Sequence, residues 1–278
     1  MAYFNNTFNQ PKQLFMKNKA LLVGINQYPN PGNNLRGCIN DIMDMEYCIA
    51  EKNKVYPKEN IKKLTNQHAT KKGIIEQIHW LIEGVVPGDQ ILFHYSGHGA
   101  QLPTQHHQWE KDGLDEIICP YDFDGRPQTA LSDKEFAGLF AQIPAGVHFV
   151  WISDSCHAQD LSRDPQITST KGSKDTLYRT YRGHEAHQQV VTLASPAPLP
   201  LHGALLSACT SEELSADAYI DHRFNGAFTH YLIKNLNQIS ASISMETLIK
   251  LVNKDLERNG YDQNPQSEGL LDQQSFFQ

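Results

Sequence analysis

The chain has 278 residues, 40% of them hydrophobic and 20% charged, with 24 basic against 31 acidic side chains and a formal net charge of −7. That length holds one large or two modest domains with a real core, and the composition excludes a disordered chain. No Lys/Arg-rich run is present, so nucleic-acid binding has no electrostatic support.

Residues up to about Lys17 are polar and read as an N-terminal extension; the opening MAYFNNTFNQPKQ lacks the charged start and apolar core of a signal peptide. KALLVGINQYP (19–29) is a continuous apolar run closed by Asn and Pro, the pattern of a fully buried strand. LRGCINDIMDMEYCIA places Ile39, Ile42, Met43 and Ile49 at helical spacing. IKKLT is a short strand, and Thr70 caps a helix carrying Ile74, Ile75, Ile78, Leu81 and Ile82. PGD turns the chain into the strand QILFHYS, and EIICPYDF is a further short apolar stretch. In LSDKEFAGLF, Ser132 and Glu135 form a capping box ahead of Phe136, Leu139 and Phe140. HFVWISDSC (148–156) is the next buried strand. Residues 158–200 are polar and loop-like and carry Arg163, Lys171, Lys174, Arg179 and Arg182; so long a structureless stretch inside a compact domain points to function. GALLSAC (203–209) restores a strand, GAFTHYLIKNL and SMETLIKLVNKDL are amphipathic helices, and the tail, NPQSEG with the apolar and Gln residues that follow it, is expected to form a last short strand. Strands alternating with helices imply βαβ units, and continuously apolar strands imply a sheet covered on both faces. The predicted class is α/β, a mostly parallel central sheet flanked by helices.

Five cysteines, Cys38, Cys48, Cys119, Cys156 and Cys209, are widely spaced with no CxxC. This argues against a disulfide framework or zinc knuckle and for a reducing compartment. No apolar run reaches membrane-spanning length. The expectation is a cytoplasmic protein with no membrane and no nucleic-acid partner.

Two strand ends carry chemistry. FHYSGHGAQ (93–101) sets His98 between Gly97 and Gly99, and HFVWISDSC ends in Asp154-Ser155-Cys156, followed by His157. Open parallel sheets bind ligands at the carboxyl ends of their strands, so if these strands are neighbours, His98 and Cys156 meet at one edge. A thiolate is a strong nucleophile and an adjacent imidazole supports it. A glycine after the histidine lets backbone approach closely, and the N–H groups of Gly99 and Cys156 are placed to hold an oxyanion. Singly, such a Cys is ordinarily a small core residue and such a His a surface one; the pair is what points to catalysis. His157 is a rival base, though sequence neighbours rarely face each other well.

HYSGHGAQ and DSCH resemble the two signature motifs of metacaspases, cysteine peptidases of the caspase-like superfamily. KALLVGINQY, LRGCINDI, DGLDEIICPYDF and LSACTSEELSADA resemble further segments of that family, from about residue 18 to the end. The compactness, with no Pro-rich prodomain, fits the bacterial branch. The resemblance implies a caspase-like fold with residues 18–160 as a large-subunit-like region, 161–202 as a processing linker and 203–278 as a small-subunit-like region, all in one compact domain. It implies Cys156 as nucleophile, His98 as general base and then acid, and cleavage after Arg or Lys. Asp41, Ser96, Asp154 and Asp217 would line the pocket for the basic side chain, carboxylates being what such a side chain needs. Partners would be protein or peptide substrates, and the chain is expected to be a monomer. The five basic residues of the linker are candidate self-cleavage sites. No cofactor is expected for the chemistry. Calcium is expected as an activator at most: Asp115 and Asp133 match two of the family's ligands and Asp160 is offered as a third, but Ser132-Asp133 stands where two adjacent acids are common. DSCHAQ also departs from the Ser-Gly that commonly follows the Cys-His pair.

Two other readings stay open. A metal-dependent hydrolase would use His94, His98, His106 and His107, against which stands their place on a strand end rather than a helix. A silent caspase-like scaffold would be expected to have lost the Cys or the His, and this chain keeps both.

Overall fold

The computed structural model describes residues 17–104, 113–156, 176–181, 203–210, 213–238, 243–269 and 274–277. In chain order the elements are β1 (Lys19–Gly24), α1 (Cys38–Glu46), β2 (Ile61–Thr65), α2 (Lys71–Ile82), β3 (Gln90–Ser96), β4 (Gly99–Pro103), β5 (Leu114–Ile118), β6 (Leu131–Ser132), α3 (Asp133–Phe140), β7 (His148–Asp154), β8 (Leu177–Tyr178), β9 (Ala204–Ser207), β10 (Ala216–Ile220), β11 (Arg223–Gly226), α4 (Ala227–Gln238), α5 (Met245–Arg258) and β12 (Gln266–Gly269). The central sheet has the order β12-β9-β7-β3-β1-β2, with β12 antiparallel at one edge and the others parallel.

Alternate residues of each central strand enter opposite cores, because successive side chains leave a strand on opposite faces. Ala20, Leu22, Leu92, Val150 and Ile152 join one cluster with α1, α4 and α5. Leu21, Val23, Ile91, Phe93 and Phe149 join the other, where Ile74, Ile78, Leu81, Phe136 and Phe140 come from α2 and α3. The caps read from the sequence are present. Thr70 Oγ1 accepts from Gly73 N at 3.1 Å, and Ser132 and Glu135 close a reciprocal capping box.

Three features depart from the sequence expectation. A small antiparallel sheet, β4-β5-β6, follows His98. A hairpin, β10 and β11, turns at Asp221 and His222, whose φ angles of 48° and 69° are the left-handed values that tight hairpins require. Its strands are short, and the turn lacks the Asn-Gly or Asp-Gly signal that would have announced it. Within the stretch read as structureless, Leu177–Tyr178 forms β8 and pairs with β10.

The register positions the site. Ser96 at the end of β3 pairs with Asp154 at the end of β7. His98 and Cys156 each lie two residues beyond that matched pair, at the carboxyl edge of the sheet.

Candidate active site

His98 is built into the fold through its backbone. Its N–H donates to Tyr28 Oη at 2.9 Å, and its carbonyl accepts from Cys119 N at 2.9 Å and Tyr95 Oη at 2.7 Å. The ring lies 4.8 Å from that of Tyr28, centroid to centroid. Its Nε2 is 2.7 Å from the carbonyl oxygen of Asn33. A carbonyl only accepts, so in the neutral ring Nε2 carries the proton and Nδ1 is the basic nitrogen. Cys156 is buried, its Sγ accepting from Ser215 N at 2.7 Å. Gly99 has no room for a side chain, because a Cβ there would collide with the carbonyl oxygen of Cys156. The missing Cβ thus lets Gly99 and Cys156 pack backbone against backbone.

The N–H groups of Gly99 and Cys156 converge on one oxygen, the carbonyl of Arg179, at 3.0 and 3.4 Å. The Arg179 side chain enters the space walled by Asp41, Ser96, Asp154 and Asp217. Nη1 donates to Ser96 Oγ at 2.7 Å and to the Asp154 carbonyl at 3.0 Å, and lies 3.1 Å from Asp154 Oδ1. Nη2 reaches Asp41 Oδ2 at 2.7 Å and Asp217 Oδ1 at 3.2 Å. All of these side chains are buried.

Each carboxylate is held in place by other donors. Asp217 accepts from the N–H groups of Arg36 (2.8 Å) and Gly37 (2.9 Å). Asp154 accepts from Ser215 Oγ (2.7 Å) and from Thr229 N and Oγ1 (3.1 and 2.6 Å). Asp41 accepts from Ser96 Oγ (2.8 Å) and Gly226 N (2.9 Å). With every group ionised the pocket would carry three negative charges against one positive. Asp41 moderates this: its pKa is pushed up to about 7, chiefly by burial, with the Arg179 guanidinium opposing and the Asp154 charge adding to the rise. Burial works against the charge on Arg179, but Asp154 and the other acids outweigh it and hold the guanidinium well above its ordinary pKa.

Arg179 directly follows the strand β8. Leu177 pairs with Asp217 and Tyr178 with Ala216, antiparallel, and Arg179 N continues the ladder to Ser215 O at 3.1 Å. Beyond it Thr180 bridges Gly99, and Tyr181 N donates to Gly99 O at 3.1 Å. This is how extended peptides dock by strand addition, backbone bonds holding the chain while pockets take alternate side chains.

The residues Asp41, Ser96, Asp154 and Asp217, singled out in the sequence, are thus brought to one place around the Arg179 guanidinium, and His98 and Cys156 stand just past the ends of neighbouring strands. The calcium candidates differ. The ammonium of Lys134, a nearly fully buried side chain, lies 2.5 Å from Asp115 Oδ1 and 3.5 Å from Asp133 Oδ1. A cation of the protein's own therefore stands between the two acids, a poor fit for a calcium ion that needs several oxygens around one centre. Asp160, His157, His106, His107, Arg163, Lys171, Lys174 and Arg182 lie outside the described residues. Of the metal-hydrolase set only His94 and His98 are described, and among the described residues no group of three or more His, Cys, Asp or Glu side chains comes together as ligands would. His94 is buried beside Thr229 Oγ1, 3.4 Å from Nε2, and burial lowers its pKa to about 4.

Sequence reading missed Tyr28, Asn33 and Ser215, whose parts are played by backbone or by packing across the fold. It also missed Cys209, whose Sγ reaches the Ser155 carbonyl at 3.7 Å. Its thiol is held far above its usual pKa, first by a hydrogen bond with Cys156 and then by burial. Arg179 was in view only as one of five basic residues.

A family model described as metacaspase, peptidase C14 domain, matches residues 18–163. Metacaspase-1A of Aspergillus oryzae is 41% identical over 161 residues, 55% of this chain and 37% of that one. Metacaspase-1B of Neurospora crassa is 31% identical over 291 residues, 90% of this chain and 66% of that one. The chain thus spans between about a third and two thirds of the length of these curated relatives. Among solved structures, protein GSU0716 of Geobacter sulfurreducens superposes with a TM-score of 0.67 at 25% identity, covering 94% of this chain and 98% of that one. Caspase-1 of Spodoptera frugiperda gives 0.60 at 12% identity, covering 93% and 88%, a likeness of fold. Among the described residues no helix is long and apolar enough to cross a membrane.

Proposed function

The chain belongs to the metacaspase family of C14 peptidases, and on that premise we propose that it is a cysteine endopeptidase that cuts after arginine, and after lysine less well, and whose first substrate is its own Arg179–Thr180 bond. One observation carries the reading: the Arg179 side chain fills the acidic pocket while its carbonyl takes both N–H groups beside Cys156. In the reaction the Cys156 thiol gives its proton to His98 Nδ1, and the sulfur attacks the Arg179 carbonyl carbon. The oxygen becomes an anion held by Gly99 N–H and Cys156 N–H, donors already aimed at it. The tetrahedral centre collapses, His98 protonates the leaving nitrogen of Thr180, and a thioester joins Arg179 to Cys156. Water, deprotonated by His98, then releases the Arg179 carboxylate and restores the thiol. An aspartate in the same pocket would set a fourth carboxylate among three, so substrates with Asp before the cut are not hydrolysed.

While Arg179 occupies the pocket, an external basic side chain has nowhere to bind, so cutting this bond precedes turnover of other substrates. Calcium is not required on this reading, the Lys134 ammonium supplying the positive charge between Asp115 and Asp133. The test is to purify wild type and Cys156→Ala and read the N-termini of any fragments. A new terminus beginning Thr180-Tyr181, present in wild type and absent from Cys156→Ala, is the expected result. Wild-type chain that stays intact, or a cut that persists in Cys156→Ala, overturns it.

A further inference from the structure

The docked strand continues past the bond it presents and meets a group of rings, two of which, Phe123 and Tyr28, take no part in the bond-breaking steps. Thr180 is 5% exposed. Tyr181, the second residue beyond the carbonyl held by Gly99 and Cys156, is partly buried with its ring among three others. Phe123 meets it edge to face with centroids 4.8 Å apart and planes at 71°. Tyr28 lies at 6.2 Å and 69°, and His98 at 6.0 Å and 86°. The phenol donates to the Phe123 carbonyl at 3.2 Å. The backbone N–H of Tyr181, bonded to Gly99 O at 3.1 Å, sets the ring's depth.

The walls are rigid. Phe123 and Tyr28 are 3% and 5% exposed. Phe123 N is tied to Pro120 O at 3.0 Å, and Tyr28 Oη takes the His98 N–H. Phe123 follows β5 and Tyr28 follows β1, so neither belongs to the acidic pocket. This is a recess with a ring wall and, at its end, the Phe123 carbonyl as acceptor and the Asn33 side-chain amide as donor, which suits an aromatic side chain and best a phenol.

We propose that this recess is a leaving-side specificity subsite, formed by Phe123 and Tyr28, that selects an aromatic residue at the second position after the cut in external substrates. The inference rests on the reading of Arg179 as the residue before the cut. Substrates are then recognised on both sides of the bond, a basic residue before it and an aromatic one two places after it. Tyr28 links the two, since the hydroxyl that holds the His98 backbone belongs to the ring that faces the substrate aromatic.

The experiment uses self-processed wild-type enzyme and three probes: quenched peptides containing Leu-Tyr-Arg-Thr-Tyr or Leu-Tyr-Arg-Thr-Ala, and Leu-Tyr-Arg coumarin amide, which has no residue after the cut. An edge-to-face ring pair plus burial of the ring predicts kcat/KM roughly tenfold or more higher for the Tyr peptide than for the Ala peptide. A fourth probe, the peptide with Phe in place of that Tyr, is slower by about threefold or more, having lost the neutral hydrogen bonds to the Phe123 carbonyl and the Asn33 amide. In Phe123→Ala the Tyr-to-Ala ratio narrows, the coumarin amide reporting any damage common to all substrates. Phe123→Leu gives the same readout if the alanine variant fails to fold. Equal rates for the two peptides, with the coumarin amide still hydrolysed, overturn the subsite and leave the arginine reading standing. If even the coumarin amide resists hydrolysis, the arginine reading falls and the subsite with it.

Discussion

The two nitrogens of the Arg179 fork face different walls, Nη1 toward Ser96 and Asp154 and Nη2 toward Asp41 and Asp217. A lysine brings a single nitrogen with three protons, which cannot serve both walls. At least one buried carboxylate then loses a charge-assisted hydrogen bond, a cost of about 1.5–3 kcal/mol, or roughly 10- to 150-fold in kcat/KM. Asp41 sets where in that range the ratio falls. Its pKa is already pushed up to about 7 with the arginine present, burial being the main cause, and losing Nη2 raises it further. Near neutrality Asp41 takes a proton rather than standing bare, which keeps the penalty at the low end. As pH rises above 7 that proton is lost from the arginine complex but kept in the lysine complex, so the Arg-to-Lys ratio widens by up to ~10-fold per pH unit until the second pKa is passed. The assay compares Leu-Tyr-Arg and Leu-Tyr-Lys coumarin amides on processed enzyme from pH 6 to 9. Equal rates, or a ratio that narrows as pH rises, would refute the reasoning.

Other outcomes follow from the same geometry. Arg179→Ala removes the internal occupant: the variant is not cut after residue 179 and hydrolyses added Leu-Tyr-Arg coumarin amide without the lag that unprocessed wild type shows, and an equal lag in both progress curves would count against it. Asp217→Asn removes one wall charge and leaves the Arg36 and Gly37 N–H groups facing a neutral amide, so kcat/KM for the arginine substrate falls by roughly 10-fold or more while His98 and Cys156 are untouched; an unchanged value in steady-state kinetics contradicts the pocket assignment. His94 is buried with its pKa lowered to about 4, so its neutral form favours the fold above pH 6.5 and that contribution is lost as pH falls from 6.5 through 4. Replacing it in His94→Gln removes roughly 3 kcal/mol of that acid sensitivity, and urea midpoints that fall in parallel for both proteins would disprove it. EDTA leaves self-cutting unchanged in wild type, while Lys134→Ala, with Asp115 and Asp133 no longer neutralised, gains Tm on adding calcium; a wild type that gains as much refutes the role of Lys134.

Much of this protein was legible in its sequence, and the reason is local. Strands KALLVG, QILFHYS and HFVWISD carry unbroken apolar runs because a parallel sheet covered on both faces buries nearly every residue, and that pattern names both the strands and the class. Caps at Thr70 and Ser132 are satisfied within three residues of themselves. The edge positions of His98 and Cys156 follow from strand ends alone, which is why they could be singled out before any packing was known. The remainder depends on contacts between residues far apart in sequence. Asp41, Ser96, Asp154 and Asp217 come from four separate segments and converge only when α1, β3, β7 and β10 are assembled. Nothing local distinguishes Arg179 from the four other basic residues around it: the register of β8 on β10 selects it, placing its carbonyl on two N–H groups and its guanidinium among the acids. Lys134 reads as a surface lysine on an amphipathic helix until Asp115 arrives from β5. The sequence by itself determined the sheet and the strand ends that carry Cys156 and His98, since burial and periodicity act over a few residues. Tertiary structure alone decided which residue fills the pocket, which cation faces the outer acids and which rings lie beyond the cut, because charge pairing and ring packing depend on distance in space.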